Sequence, residues 1–284
     1  MALPVVAHYL LFHYVPMYGA IIAFKEFSPA AGIWRSPWVG LEHFKAFFES
    51  YYFWRVLRNT IAISLSSLLF SFPAPITLAL LLNEVQSTRF KRVTQTISYM
   101  PHFVSLIVIC GIIVDFSAER GLFNDVIGLL GGERGNLLVR PELFRPIYIA
   151  SGIWQEVGWG AIIYLAALSG IDPQLYEAAT LDGAGKWKQM LYVTLPGLVP
   201  TIVILLILRI GQLMNVGFEK IILLYNANTY ETADVISTFV YRRGLLEFSF
   251  SFSTAVGLFN SVVNFLLLLG ANRLSRRFSE TSLW

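Results

Sequence analysis

The sequence predicts an all-α, polytopic membrane protein with about six transmembrane helices. Apolar residues make up 56% of the 284 residues and charged residues only 14%, whereas a soluble domain carries about 25% charged residues. Six segments are long and apolar enough to cross a bilayer, which takes about 20 residues. They lie at about 3–24, 56–83, 94–115, 147–170, 197–216 and 252–272.

The six segments divide the chain into three parts. Residues 1–55 are expected to hold the first membrane helix and an extracytoplasmic surface segment, in which residues 41–54 form a short amphipathic helix. We interpret residues 1–24 as a membrane helix and not as a signal peptide, because they lack a basic start and a small-residue cleavage site. Whether a basic leader precedes Met1 stays open. Residues 56–275 form a core of five further helices, and residues 276–284 form a cytoplasmic tail.

Local sequence features refine the helices and their orientation. Pro73 and Pro75 lie within the second segment and predict a kink there. Basic residues crowd the helix ends on one side of the membrane, which indicates that this side and both termini face the cytoplasm. These residues are Arg89, Lys91, Arg92, Lys186, Lys188, Arg273, Arg276 and Arg277.

Several kinds of chemistry are not expected in this chain. Cys110 is the single cysteine, so an intrachain disulfide is excluded, and the four histidines show no metal-ligand spacing. The basic residues are scattered and the net charge is only +3, so no nucleic-acid partner is expected. The stretch Gly183-Ala184-Gly185-Lys186 is not a phosphate-binding loop. Thr180 occupies a position that requires glycine, and Trp187 occupies one that requires serine or threonine.

The loop at about 171–196, between the fourth and fifth segments, is the most informative part of the sequence. It is predicted to form a short helix over 177–181, a glycine-containing turn, and a second helix that begins at Lys186 and ends near Pro196. Its small side chains allow another protein to approach closely, so it is a candidate docking surface. The candidate contact residues are Glu177, Ala178, Ala179, Asp182, Gly183 and Ala184.

This loop resembles the EAA loop of the permeases of ABC importers. Glu177-Ala178-Ala179 is followed after three residues by Gly183, and Val193-Thr194-Leu195-Pro196 closes the pattern. Three further blocks extend the resemblance over essentially the whole chain: SPWVGL at 36–41, TISYMPHF at 96–103 and SLW at 282–284. Together they look like the polysaccharide-type branch of carbohydrate importers, to which the permeases of alginate importers are similar.

The resemblance implies an architecture, a location and a set of partners. The architecture is that of a type I ABC importer permease in the bacterial cytoplasmic (inner) membrane. The partners are a second, similar permease in a heterodimer, two ATP-binding subunits, an extracytoplasmic solute-binding protein, a saccharide and membrane lipid. The six docking residues are expected to contact an ATP-binding subunit, which holds ATP and Mg, and this chain is expected to need no cofactor.

Polar side chains in or next to the predicted membrane helices form a second set of candidates. A centred charge costs roughly 2.5–3.5 kcal/mol on insertion scales, so each such group needs a reason. Two interpretations stay open: hydrogen bonds between helices or permeases, or a saccharide path in which polar groups meet hydroxyls and aromatic rings stack on sugar faces. We also hypothesise an ion pair between Glu156 and Arg209. The set is Trp154, Gln155, Glu156, Trp159, Arg209, Gln212, Asn215, Glu219, Asn260 and Asn264.

The expected function is therefore that of a permease subunit without enzyme activity. It imports oligo- or polysaccharides, an alginate-like substrate among them, by alternating access coupled to a separate ATPase through the Glu177 loop. The alternative is a secondary transporter driven by an ion gradient. That class often shows internal repeats, of which the sequence has none, and it leaves the 177–196 loop unexplained.

Overall fold

A computed structural model describes residues 3–278 of the chain, with side chains up to residue 276. This part is helical, and its only β-type pairing is an isolated bridge between Lys25 and Trp38. The longer α-helices are Leu3–Tyr9, Glu42–Phe48, Phe53–Phe70, Pro73–Glu84, Thr88–Tyr99, Leu106–Ser117, Leu122–Leu129, Pro141–Ser169, Pro173–Leu181, Leu195–Ile210, Phe218–Leu224, Ile236–Tyr241 and Phe250–Phe278. Shorter helical turns are Leu10–Tyr14, Val15–Met17, Tyr18–Phe24, Gly32–Arg35, Met100–Phe103, Leu137–Val139, Lys186–Gln189, Met190–Thr194, Ala227–Thr229, Tyr230–Ala233 and Arg242–Leu246.

Within the described residues, four helical stretches are long and apolar enough to cross a membrane. A fifth candidate is the pair Thr88–Phe103 and Leu106–Leu129, whose two parts are bent by 100° relative to each other. The count is therefore four or five, against about six predicted. The four stretches are Leu3–Phe24, Phe53–Glu84, Lys186–Ile210 and Phe250–Arg276.

The remaining predicted segment, 147–170, lies in the helix Pro141–Ser169, which we call the central helix. Its 29 residues correspond to about 43 Å at 1.5 Å per residue. The central helix is long enough to cross the membrane, but polar side chains such as Gln155 and Glu156 make it less apolar than the other stretches. The difference from the predicted count thus has two causes: the central helix is less apolar, and the predicted segment 94–115 is broken by the 100° bend.

Two glycines allow the central helix to pack closely against its neighbours. A Cβ atom at Gly158 would lie 2.1 Å from the backbone oxygen of Ser98, and one at Gly160 would lie 3.0 Å from Pro75. Small residues are the usual means by which membrane helices approach each other. The central helix therefore packs closely against Pro73–Glu84 and Thr88–Tyr99, and at Gly158 it approaches the backbone of Thr88–Tyr99 directly.

Prolines affect the membrane stretches in two different ways. The second stretch is interrupted between Phe70 and Pro73, as the sequence predicts. The helix that begins at Lys186, in contrast, does not end near Pro196, so that prediction is wrong. A π-helical turn at Met190–Thr194 ends with a hydrogen bond from the Leu195 amide to the Met190 carbonyl. This wider turn makes room for the proline ring, and the helix continues to Ile210.

The short helix expected at 41–54 is present but ends earlier, at Phe48. It cannot extend to residue 54, because the second stretch already begins at Phe53. Phe47 is fully buried among aromatic rings that include Phe53 and Phe259. These rings hold the segment before the second stretch on the bundle.

A buried polar network holds the segment around 227–241 against the second stretch. The Asp234 carboxylate is fully buried and accepts hydrogen bonds from Arg55 (2.9 Å), Arg242 (2.7 Å) and Thr238 (2.8 Å). Asn59 donates to the Asp234 carbonyl at 2.9 Å. Since these groups come from distant parts of the chain, the network fixes the position of a segment that would otherwise be a long loop.

The two ends of the chain differ in how they pack. The side chains of Leu3–Met17 are not buried, whereas Tyr18–Phe24 packs against Phe250–Phe278. The last helix continues to Phe278. Most of the predicted tail at 276–284, including the block SLW at 282–284, lies outside the described residues.

Candidate functional site

The loop predicted to dock a partner begins with a capped helix. The helix Pro173–Leu181 starts four residues before Glu177, because the Asp172 carboxylate accepts a hydrogen bond from the Gln174 amide at 2.9 Å. It ends at a turn in which Gly183 has a φ of 78°. This left-handed conformation favours glycine and closes the helix.

Side-chain hydrogen bonds then fix the turn against the following helix. The Gln189 amide donates to the Thr180 hydroxyl at 2.9 Å and to the Ala184 carbonyl at 3.0 Å. The Tyr176 and Thr194 hydroxyls share a hydrogen bond of 3.0 Å. The two helices of the loop are thereby held as one unit.

This unit presents polar, small and apolar groups on its surface. Glu177, Ala178, Asp182 and Gly183 are exposed, and Ala179 and Ala184 are half-buried. Leu181 is 89% exposed and Trp187 is 69% exposed. An open cavity of about 610 Å³ lies beside Glu177. Large apolar side chains exposed on an ordered loop are typical of a protein contact site.

A cleft of about 640 Å³ lies along the central helix. Its walls come from the second stretch, the central helix, the end of the Lys186–Ile210 helix and residues 217–220. A smaller cavity of about 240 Å³ shares Tyr148 and Arg209 with the cleft. Of the residues predicted for a substrate path, Gln155, Glu156, Trp159, Arg209 and Glu219 line the cleft, and Arg209, Gln212 and Asn215 line the smaller cavity.

The other three predicted path residues line neither cavity. The Asn215 side-chain oxygen accepts hydrogen bonds from Asn260 at 2.9 Å and from Asn264 at 3.1 Å. Asn264 in turn accepts from the Met214 amide at 2.9 Å. These asparagines therefore join the last helix to the 212–215 turn. This agrees with the interpretation in which the polar groups form hydrogen bonds between helices. The Trp154 side chain is exposed and lines neither cavity.

The ion pair hypothesised between Glu156 and Arg209 is absent. The Glu156 carboxylate instead contacts His102 Nδ1 at 3.0 Å. The His102 ring stacks on Trp159, with ring centroids 4.3 Å apart. Sequence reasoning tested His102 only as a metal ligand and missed this role, although the residue lies in the block at 96–103.

Sequence reasoning also missed Lys220 and Tyr148. Lys220 lines the cleft, is 7% exposed, and has no hydrogen-bond partner for its Nζ. The Nζ atom lies 5.3 Å from the centroid of the Tyr148 ring. Lys220 lies four residues beyond the end of the predicted fifth segment at 216, and a lysine close to a helix end gives no signal of burial.

The described residues contain no group of three His, Cys, Asp or Glu side chains that could hold a metal ion. Cys110 is buried in an apolar cluster with Ile109 and Ile113. The cleft offers charged, hydrogen-bonding and aromatic groups. Such groups suit the binding of a polar solute.

Comparison with known proteins agrees with this geometry. Residues 71–280 match the family described as the binding-protein-dependent transport system inner membrane component. Protein LplB of Bacillus subtilis is 46% identical over 283 residues, which cover 99% of this chain and 89% of LplB. The polygalacturonan/rhamnogalacturonan transport system permease protein YteP of Bacillus subtilis is 47% identical over 285 residues, covering 100% of this chain and 89% of YteP.

Two solved structures share the whole fold. One is a bacterial alginate ABC transporter in complex with a periplasmic protein that binds an alginate pentasaccharide. A chain of it has a TM-score of 0.93 and 45% identity, covering 100% of this chain and 95% of that one. The other is a bacterial ABC transporter involved in the import of the acidic polysaccharide alginate, with a TM-score of 0.91 and 47% identity, covering 97% and 93%.

These matches cover the core and nearly all of the chain, and they disfavour the secondary-transporter alternative. They agree with the helical membrane fold. The chain belongs to the family of inner membrane components of binding-protein-dependent transport systems, which are the permease subunits of ABC importers.

Proposed function

We propose that this chain forms the membrane path for an acidic oligo- or polysaccharide of the alginate type. The observation that carries the proposal is the cleft along the central helix, where Trp159 presents an indole that is 44% exposed beside charged and amide groups. Sugar faces stack on aromatic rings, and hydroxyls need donors and acceptors. Relatives named for polygalacturonan and for alginate support an acidic substrate.

The loop around Glu177 is proposed to couple this path to ATP hydrolysis on a separate subunit. Its exposed Leu181 and Trp187 offer apolar contact area, and its small residues allow close approach. The helix from Lys186 to Ile210 links the loop without a break to Arg209 in the cleft. A movement of the loop would therefore be transmitted directly to the cleft wall.

The complete importer is proposed to contain further subunits. These are a second, similar permease, two ATP-binding subunits that hold ATP and Mg, and an extracytoplasmic solute-binding protein. Leu3–Met17 has no buried side chain, so its surface is available to lipid or to the second permease. Both termini are proposed to lie in the cytoplasm, on the side of the Glu177 loop.

In this assembly the transporter works by alternating access. Closure of the ATPase dimer on ATP moves the Glu177 loop and opens the cleft towards the loaded binding protein. Hydrolysis lets the ATPase subunits separate and returns the cleft to the cytoplasmic side. The saccharide is released there without chemical change.

A pull-down from the native membrane tests the coupling. The wild type and Glu177→Arg are purified in mild detergent, and co-purifying subunits are identified by mass spectrometry. The matched control is Glu133→Arg, which reverses the charge of an exposed glutamate outside the loop. We expect an ATP-binding subunit with the wild type and the control, and its loss with Glu177→Arg. Recovery of no ATP-binding subunit with the wild type would refute the proposal.

A further inference from the structure

We propose that Arg209 binds the carboxylate groups of the saccharide, so that the permease itself selects acidic sugars. The inference rests on the proposed function, since it requires that a saccharide enters the cleft. It goes further by assigning selectivity for charge to one side chain in the membrane path. Lys220 contributes a second positive charge in the same cleft.

Arg209 is a charged group without a charged partner. It lies in the last turn of the Lys186–Ile210 helix and lines both the cleft and the smaller cavity. Among the described residues it forms no ion pair, although Glu156 and Glu219 line the same cleft. Its side chain is exposed at the end of this membrane stretch, so an arginine without an acidic partner is available there to an anionic ligand. A guanidinium group matches a carboxylate in shape and charge, with two parallel hydrogen bonds.

Lys220 makes this part of the cleft more positive. Its Nζ is buried and without a hydrogen bond, and its closest aromatic partner is the Tyr148 ring. Because the ammonium is buried, water screens its field only weakly and the field extends into the adjoining cleft. A carboxylate held by Arg209 therefore gains additional attraction, while a neutral sugar does not.

The acidic groups of the cleft leave Arg209 available. Glu156 is held by His102 at 3.0 Å. Glu219 is exposed and forms no ion pair within the described residues. Trp159 contributes its indole to the same cleft. The cleft thus combines a ring for the sugar face with a cation for the carboxylate, which are the two groups that a uronate residue requires.

A structural role for Arg209 makes a different prediction. A cation in the last turn of a helix interacts favourably with the helix dipole, and this interaction does not depend on the substrate. If this were its whole role, loss of the charge would affect charged and neutral saccharides alike. Selectivity between two saccharides of equal length therefore separates the two roles.

The experiment measures binding to the complete transporter without its binding protein. The purified complex of both permeases and the ATP-binding subunits is titrated calorimetrically with trigalacturonate and with the same trimer after reduction of its carboxyl groups. We expect the wild type to prefer trigalacturonate. Arg209→Gln should weaken trigalacturonate binding about tenfold or more, in the range of a charge-assisted hydrogen bond, and leave the reduced trimer within about twofold. Arg209→Lys keeps the positive charge but loses the two parallel hydrogen bonds, so it should retain only part of the preference.

The control variant is Arg35→Gln, which removes an exposed arginine outside both cavities and should bind like the wild type. Equal loss for both trimers in Arg209→Gln, or no loss, overturns the inference. If Arg209→Gln does not assemble, the wild type alone tests the inference. Equal binding of the two trimers to the wild type, or no binding of either trimer, also overturns the inference.

Import of trigalacturonate into proteoliposomes with the binding protein tests the proposed function separately. Import without selectivity that depends on Arg209 would overturn the inference about Arg209 but keep the proposed function. No import of any saccharide would overturn both the inference and the proposed function.

Discussion

The imidazole ring of His102 lies flat against the indole ring of Trp159, with centroids 4.3 Å apart and planes 2° apart. The same imidazole contacts the Glu156 carboxylate through Nδ1 at 3.0 Å. His102 follows Pro101 in the turn Met100–Phe103, whereas its two partners lie on the central helix. The stack therefore joins the bent helix pair to the wall of the cleft and holds Trp159 in a defined orientation.

Loss of this stack should weaken saccharide binding. His102→Ala removes a ring contact worth about 0.5–1.5 kcal/mol and leaves Glu156 without its partner. We expect binding of trigalacturonate to the complete transporter to weaken about threefold to tenfold, measured by calorimetry. His102→Phe keeps a ring on Trp159 and should lie between Ala and the wild type. Wild-type affinity in His102→Ala would contradict a positioning role for this residue.

The buried ion pairs of Asp234 should make a large contribution to the stability of the helix bundle. Asp234→Asn removes the charge that both Arg55 and Arg242 contact. Breaking a buried pair costs about 3–5 kcal/mol, and the partial exposure of the two arginines lowers this to roughly 2–3 kcal/mol. We expect a clearly lower melting temperature in detergent, measured by fluorescence-detected size exclusion after heating.

The control for that change is Asp125→Asn. Asp125 pairs with Arg134 at 3.0 Å, but both side chains are half-exposed, so the expected loss is at most about 1 kcal/mol. Equal melting temperatures for Asp234→Asn and Asp125→Asn would show that the Asp234 network is not a main source of stability.

The Asp234 network also determines the pH dependence of this stability. Burial by itself lowers the pKa of Arg242, but the hydrogen bonds and charge of Asp234 outweigh burial and raise that pKa above its ordinary value. The contribution of Arg242 is therefore present at neutral pH and is lost only when the pH rises through this raised pKa.

The close approach at Gly158 makes a second prediction for stability. A Cβ atom at Gly158 would lie 2.1 Å from the Ser98 backbone oxygen, whereas one at Gly257 would meet nothing within 4 Å. Both glycines lie in long helices. Gly158→Ala should destabilise the protein by about 1–3 kcal/mol through overpacking, and Gly257→Ala should be neutral or stabilising by up to about 1 kcal/mol. Thermal unfolding in detergent measures both, and a stable Gly158→Ala would show that the two helices can separate at little cost.

The features that the sequence could predict depend on local patterns, and those it could not depend on contacts between distant residues. Pro73 and Pro75 predict the interruption of the second stretch, because proline acts on its own helix. Arg209, Gln212 and Asn215 line one cavity, but Gln212 and Asn215 lie beyond the helix end at Ile210, which helix periodicity does not predict. The partner of Glu156 was missed, because His102 is 54 residues away.

The course of the chain through Pro196 shows a further limit. Proline normally predicts the end of a helix, and only the backbone hydrogen bond from Leu195 to Met190 reveals the wider turn that lets the helix continue. The same kind of turn, Leu10–Tyr14, precedes Pro16 in the first stretch. Since a π-helical turn has no clear residue preference in this chain, propensity alone could not predict it.

Gly183 provides the last prediction, which concerns coupling. Its φ of 78° lies in the left-handed region, where an L-residue costs about 1–2 kcal/mol. Gly183→Ala should therefore shift the turn that joins the two helices of the loop and reduce contact with the ATP-binding subunit. We expect the ATPase activity stimulated by loaded binding protein in proteoliposomes to fall about fivefold or more, because 1 kcal/mol is about a factor of five in an equilibrium.

Gly185 is the matched control, because it lies two residues further along the same loop. Its φ of −69° and ψ of 167° are open to any residue, and a Cβ atom there would meet nothing within 4 Å. Gly185→Ala should therefore keep near wild-type stimulation. Equal losses in both variants would mean that bulk on the loop, and not the left-handed turn at Gly183, limits coupling, and wild-type activity in Gly183→Ala would show that the loop tolerates strain at its turn.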